Sequence, residues 1–98
     1  MNSDPISVEE QAEIFQLLSN SSRILIMKSL QSQEMSVGEI AEQIGATLQN
    51  TSQHLRLMKD KGFVEYRRDG QTVYYQLAKN LLSEKCKKIL NVFSDQPQ

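Results

Sequence analysis

The chain has 98 residues, with 11 Lys or Arg against 12 Asp or Glu, and its formal net charge is −1. This length fits one domain, and residues 1–6 and 94–98 are expected to be flexible tails. It holds one cysteine and no apolar run of about 18 residues, which excludes an internal disulfide and a helical membrane span, and its polar start is unlike a signal peptide. We expect a cytoplasmic protein with no membrane partner.

The charge is unevenly distributed along the chain. Residues 1–45 carry a net charge of −5, whereas residues 46–78 and 79–98 carry +2 each. The overall sum argues against nucleic-acid binding, but the positive charge lies in the half that would meet phosphates. So weak a field predicts modest affinity for DNA that salt strongly reduces.

Two helices are predicted near the start of the chain. Ser7-Val8-Glu9-Glu10 forms a capping box, so the first helix should run from about Val8 to Leu18. Its apolar surface is wider than one stripe, which predicts contacts with both its own core and a second subunit. The next helix, about Ser21 to Gln31, is densely apolar and should be central and mostly buried.

A helix, a turn and a second helix follow a polar loop at residues 31–34. The capping box Ser36-Val37-Gly38-Glu39 starts a short helix, and Gly45 should end it in the left-handed conformation. Thr47 is a good N-cap for the next helix, roughly Leu48 to Lys61. Helical periodicity places Thr51, Leu55 and Met58 together on one side of it.

The other side of that helix is made of amides and hydroxyls over its first two turns. An ordinary solvated helix surface is usually rich in Lys and Glu, and that is the alternative interpretation of this face. Amides pair bidentately with adenine edges, and hydroxyls bond bases or phosphates. The residues predicted to contact DNA here are Thr47, Gln49, Asn50, Ser52, Gln53 and Arg56. Leu48 either touches a thymine methyl or turns toward the core.

A hairpin should follow, with strands at Phe63–Arg68 and Thr72–Leu77 around an Asp69-Gly70 turn, or a three-residue bulged variant including Gln71. Arg67 and Arg68 flank its tip and are predicted to contact DNA. Strand alternation places them on opposite faces, so we expect only one of them to reach a phosphate or the minor groove. The alternative is a charged strand end that maintains solubility. Tyr75 and its neighbours two residues away should face inward.

This ordered combination resembles the ArsR/SmtB family of prokaryotic repressors. The matching segments are Thr-Leu-Gln-Asn-Thr-Ser-Gln-His-Leu at 47–55, Gly-Phe-Val at 62–64 and Tyr-Gln-Leu at 75–77. The resemblance covers nearly the whole chain. It implies a mainly α winged helix-turn-helix fold with a small β-hairpin, in the order α-α-α-α-β-β-α, assembled as a homodimer on double-stranded DNA.

The last predicted helix runs from about Leu81 to Phe93 and has one apolar face. In a lone domain this face could fold back onto the core. The resemblance implies instead that the first and last helices build a twofold dimer. The residues assigned to that interface are Ile14, Phe15, Leu82, Cys86, Ile89, Leu90 and Phe93.

Two reactive side chains have ordinary explanations. His54 lies near the apolar side of its helix, and we expect a packed, hydrogen-bonded residue rather than a metal ligand or pH switch. Cys86 is expected to be a small buried apolar residue. The alternative is a disulfide between two Cys86 across the twofold axis, which a non-reducing gel would detect.

Metal sensing and catalysis are not predicted. The family's sites resemble a Cys-x-Cys pair before the recognition helix or carboxylate and His pairs on the final helix, and both are missing here. A zinc site takes about four protein ligands, or three and a water, which one Cys and one His on distant elements cannot supply. No phosphate loop, nucleophile–base motif or zinc signature occurs. We therefore predict no catalytic residue, no metal and no cofactor.

The sequence thus predicts a dimeric DNA-binding transcriptional regulator, acting as a repressor on an inverted repeat and responding to a small effector of unknown identity. A protein-interaction module that has lost DNA binding is one alternative, favoured by the overall acidity and disfavoured by the amide-rich face. A constitutive DNA-binding protein without any ligand is the other.

Overall fold

The computed structural model describes residues 6–93. The helices are α1 (Val8–Leu17), α2 (Ser21–Leu30), α3 (Val37–Ile44), α4 (Leu48–Asp60) and α5 (Leu81–Val92), and the strands are β1 (Met35–Ser36), β2 (Val64–Asp69) and β3 (Thr72–Leu77). The predicted tails at 1–5 and 94–98 lie outside the described residues. Ile6 was placed in the first tail, and this was wrong, because its side chain is buried in the core. Within residues 6–93, no helix is long and apolar enough to cross a bilayer.

Both predicted capping boxes are formed. The Ser7 hydroxyl accepts from the Glu10 amide at 3.1 Å while the Glu10 carboxylate accepts from the Ser7 amide at 3.0 Å. Ser36 and Glu39 make the same pair of bonds at 2.9 and 3.1 Å. Each box satisfies backbone donors that a helix start leaves without partners. The start of α3, and with it the helix-turn-helix, is therefore fixed by local sequence.

The strand β1 was not predicted, and the segment before Ser36 is not simply a polar loop. Met35 pairs with Tyr75 and Ser36 with Tyr74, which makes β1 an antiparallel edge strand in a three-stranded sheet of order β1-β3-β2. A strand of two residues is too short to show the alternation by which strands are recognised in a sequence. It nonetheless ties the start of α3 to the hairpin.

The hairpin turn differs in detail from the prediction. Asp69 pairs with Thr72, so Asp69 ends β2 and the connection is the two residues Gly70 and Gln71. Gly70 has φ +63°, a conformation that other residues adopt at a cost and that two-residue hairpin turns require. The bulged three-residue variant is not formed.

One core joins the helices to the sheet. α2 is central, as predicted, and buries Ile26, Met27 and Leu30, but it is not mostly buried, since Leu25 is 44% exposed. Other fully buried apolar side chains are Ile14, Ile40, Leu55, Met58, Phe63 and Cys86. Arg23 closes the end of α1, since its guanidinium donates to the carbonyls of Leu17 at 3.0 Å and Gln16 at 3.1 Å. The bond to Leu17 satisfies a carbonyl that the helix end would leave unpaired, whereas the Gln16 carbonyl also accepts from Ser19.

Candidate nucleic-acid interface

The helix α4 has one buried and one exposed side, as predicted. Thr51, Leu55 and Met58 are completely buried against the rest of the chain. The polar side chains on the other side are open to solvent, namely Gln49, Asn50, Gln53 and Arg56, while Ser52 is half-buried. Because the apolar side anchors the helix, the amide-bearing side is held outward and free to meet a ligand.

The first turn of α4 is closed by Thr47. Its hydroxyl oxygen accepts a hydrogen bond from the Asn50 amide at 3.0 Å, which leaves the hydroxyl proton available for donation. Thr51 holds the same turn from inside, because its hydroxyl donates to the Thr47 carbonyl at 2.8 Å. Leu48 is 59% exposed, so of its two predicted orientations the outward one is observed.

A cleft of about 340 Å³ separates α4 from the inner face of the hairpin. Ser52, Arg56 and Lys59 line it from the helix, while Tyr66 and Arg68 line it from β2. The Lys59 ammonium also lies 5.4 Å from the centre of the Tyr66 ring. Tyr66 and Lys59 were not predicted as site residues. Strand alternation in the sequence predicts that Tyr66 and Arg68 share a face of β2. It does not predict that α4, with Lys59, lies opposite that face.

Arg67 points to the outer face of the sheet. Its Nε donates to Glu34 Oε2 at 2.8 Å and a terminal nitrogen donates to Oε1 at 2.9 Å. Its guanidinium carbon lies 4.5 Å from the centre of the Tyr74 ring. The hydrogen bonds from Arg67 lower the pKa of the Glu34 carboxyl, and they raise the pKa of Arg67 in turn. Glu34 had no signal in the sequence, because its role depends on the unpredicted strand β1.

The predicted dimer residues divide into two groups. Ile14 and Cys86 are fully buried within this one subunit, so assigning them to a partner surface was wrong. Their helices bury that stripe against their own core instead. Phe15 is 58% and Phe93 is 77% exposed, while Ile89 and Leu82 are half-buried. Phe15, Phe93 and Ile89 border an apolar groove between α1, α2 and α5, which also contains Leu18, Ile24, Lys28 and Leu90, the last only 5% exposed.

Comparison with known proteins places this architecture in a family. Residues 20–66, which include α2, α3 and α4, match the model described as "Bacterial regulatory protein, arsR family". The nodulation protein NolR of Rhizobium meliloti is 37% identical over 95 residues, an alignment that covers 93% of this chain and 75% of NolR. The chain belongs to the arsR family of bacterial regulatory proteins.

Solved structures of other regulators have the same fold as this arsR-family chain. The transcriptional repressor BigR from Xylella fastidiosa superposes with a TM-score of 0.78 at 27% identity, covering 92% of this chain and 91% of BigR. A homodimeric winged helix-turn-helix DNA-binding domain from Mycobacterium bovis gives 0.72 at 27% identity, covering 92% and 85%. The present chain spans from about half to about nine-tenths of the length of its curated relatives. Its fold is that of a winged helix-turn-helix transcriptional regulator.

Two titratable side chains of the arsR-family chain lie outside the polar face of α4. His54 is half-buried, and burial lowers the pKa of its ring, with a further lowering from the charge of Arg23. Burial raises the pKa of the Cys86 thiol to about 12. Cys86 is therefore a buried apolar residue, as predicted. Among residues 6–93, no group of three or more His, Cys, Asp or Glu side chains is placed to hold a metal ion.

Proposed function

We propose that this chain is a dimeric, sequence-specific transcriptional repressor that binds an inverted repeat in double-stranded DNA. The observation that carries the proposal is the exposed amide and hydroxyl face of α4, held outward by the buried Thr51, Leu55 and Met58. A helix of this kind fits the major groove, where base edges present distinct donor and acceptor patterns. The sign of regulation rests on relatives such as BigR, which is named a repressor.

Each polar side chain has a role that follows from its chemistry. Gln49, Asn50 and Gln53 carry amides that can donate to and accept from base edges. Thr47, Ser52 and Arg56 supply hydroxyls and positive charge for the backbone. At the hairpin Arg68 brings further positive charge, while the guanidinium of Arg67 is paired with Glu34. Phosphate contacts set the register of the protein on the duplex, and the amides supply the discrimination between sequences. The proposal assigns no catalytic step to the chain.

A twofold dimer would place two copies of α4 on one side of the duplex. The apolar groove bordered by Phe15, Ile89 and Phe93 is the surface proposed to meet its counterpart. Its aromatic rings are largely exposed in one subunit, and a homodimeric relative from Mycobacterium bovis has the same fold. Half-sites should then lie about 34 Å apart, one helical turn. A small effector would act by favouring one dimer geometry over another, in the cytoplasm where the bacterial chromosome lies.

The proposal is tested by selecting DNA fragments from a random pool with the purified protein and sequencing them. We expect an inverted repeat with half-sites one turn apart, and a particle mass of two subunits in light scattering. Enrichment of a single half-site would contradict the dimer. No enrichment and no duplex binding in dilute salt would overturn the proposal and favour a protein-interaction module.

A further inference from the structure

The side chain of Arg67 spans the whole width of the three-stranded sheet. It starts on β2, passes over the Tyr74 ring on the middle strand β3, and ends on Glu34, the residue before the edge strand β1. Both oxygens of the Glu34 carboxylate are used, in the forked geometry that suits a guanidinium. Arg67 thus connects all three strands across the outer face of the sheet.

The Glu34–Arg67 bridge should stabilise the position of the hairpin more than an ordinary surface ion pair would. Isolated exposed pairs contribute little, but a bidentate pair of defined geometry is an exception. Here an aromatic ring also supports the guanidinium, which adds a cation–π contact. A two-stranded hairpin is only marginally stable by itself. β1 is just two residues long, so its pairing with β3 is short. The Glu34–Arg67 bridge reinforces this pairing, which sets the angle of the hairpin to α3 and α4.

Arg68 lies in the opposite environment. Strand register places Arg68 beside Val73, and Tyr66 beside Tyr75, on the inner face that meets α4. Its side chain lines the 340 Å³ cleft together with Ser52 and Arg56. A water molecule occupies about 30 Å³ in the liquid, so the cleft has room for a phosphate group and its hydration. The Lys59 ammonium and the Asp60 carboxylate also line the cleft, and these two groups pair with each other at 3.4 Å. The two guanidinium groups and the hydroxyl that remain match the chemistry of a phosphodiester.

We propose that the two neighbouring arginines have different tasks. Arg68, with Ser52 and Arg56, binds one phosphate of the DNA backbone in this cleft. Arg67 is a positioning residue that holds the β2–β3 hairpin, the wing of the fold, in place through a strap to Glu34 and Tyr74. The proposal rests on the proposed DNA-binding function and specifies the phosphate contact of the wing. It predicts that the charge of Arg67 contributes no phosphate neutralisation, because Glu34 already compensates it.

Two double variants with the same net charge as the parent separate these tasks. The first, called the Arg67 pair, combines Glu34→Gln with Arg67→Gln and removes the strap. The second, called the Arg68 pair, combines Asp69→Asn with Arg68→Gln and removes the proposed phosphate ligand while the strap stays. Binding to the selected operator is measured by fluorescence anisotropy over a range of salt concentrations. Each phosphate contact contributes about 0.9 to the slope of log affinity against log salt, or roughly 2 for a dimer.

We expect the Arg68 pair to lower the slope by up to about 2, since Arg56 stays in the cleft, and the Arg67 pair to weaken binding several-fold with the parental slope. Arg67→Lys, which keeps the charge but lacks the fork, should weaken binding like the Arg67 pair. Circular dichroism of every variant checks that it is folded. A slope that falls for the Arg67 pair, or that persists for the Arg68 pair, would overturn the assignment. A parent that binds no duplex would instead refute the proposed function itself.

Discussion

The hydroxyl of Ser83 donates a hydrogen bond to the backbone carbonyl of Phe63 at 3.1 Å, and both residues are buried. Three residues earlier, the side-chain amide of Asn80 donates to the Gly62 carbonyl at 2.9 Å. These bonds join the start of α5 to the segment where the chain leaves α4. The start of α5 is thereby fixed to the C-terminal end of the helix proposed to bind DNA.

Removing the Ser83 hydroxyl should destabilise the fold modestly. The Phe63 carbonyl also accepts from the Ala78 amide at 2.9 Å, so Ser83→Ala leaves no unpaired buried group. We expect a loss of about 1 kcal/mol in the free energy of unfolding, typical of one hydrogen bond. Urea unfolding at fixed protein concentration measures it. Ser21→Ala, at an exposed position, is the matched control, and an equal effect in both variants would contradict the prediction.

His54 should make the fold less stable in mild acid. Burial lowers the pKa of the folded His54 ring below its ordinary value, so the unfolded chain binds a proton first as the pH falls. Its contribution is therefore fully present above the unfolded pKa, near 6.5, and is lost as the pH falls through that value toward the folded pKa. Urea unfolding of the parent and of His54→Gln at pH 7.5 and 5.5 tests this. We expect a smaller drop in the variant, and identical drops would show that His54 is not the group responsible.

Gln53 and Arg56 should affect DNA binding in different ways. Gln53→Ala removes an amide from the exposed face of α4, and we expect a loss of about 1–3 kcal/mol of discrimination at one base pair. Arg56→Ala should weaken binding to every sequence alike and lower its salt dependence. Affinities for the selected operator, its single-base variants and random DNA separate the two effects. If both variants bound all these duplexes as the parent does, this face would not be the DNA-binding surface.

Phe15 should be needed for the dimer but not for the fold. Its ring is 58% exposed, and a carboxylate at this position would have to be desolvated in a mostly apolar interface. We expect Phe15→Glu to weaken dimerisation by about 2 kcal/mol or more, some thirtyfold. Sedimentation over a concentration series measures the change, and circular dichroism checks the fold. Leu48→Glu, at a position 59% exposed on α4, is the control and should remain dimeric.

Cys86 should resist oxidants and alkylating reagents while the chain is folded. A thiol pKa of about 12 leaves only about one part in ten thousand as thiolate at pH 8, and the sulfur is also shielded from solvent. Mass spectrometry after iodoacetamide treatment should find native protein unmodified and urea-unfolded protein fully modified. A subunit-linked band on a non-reducing gel of oxidised native protein would contradict this burial.

Much of the helix-turn-helix could be predicted because its determinants are local. The Ser36–Glu39 capping box, the left-handed Gly45 and the Thr47 cap act within one turn of the residues they organise. The division of α4 into a buried Leu55 side and an exposed Gln53 side follows from helical periodicity alone. For these reasons the predicted position of α4 and the predicted set of residues on its exposed side were correct.

The sequence by itself determined the helices, the hairpin and the polar face of α4, since each depends on residues a few positions apart. Only the tertiary structure decided that Glu34 engages Arg67 across 33 residues, that β1 exists, and that Ile14 and Cys86 face their own core. Periodicity defines which residues share a face, but it carries no information about what covers that face. That choice depends on contacts between segments distant in the chain, which form only when the whole domain packs.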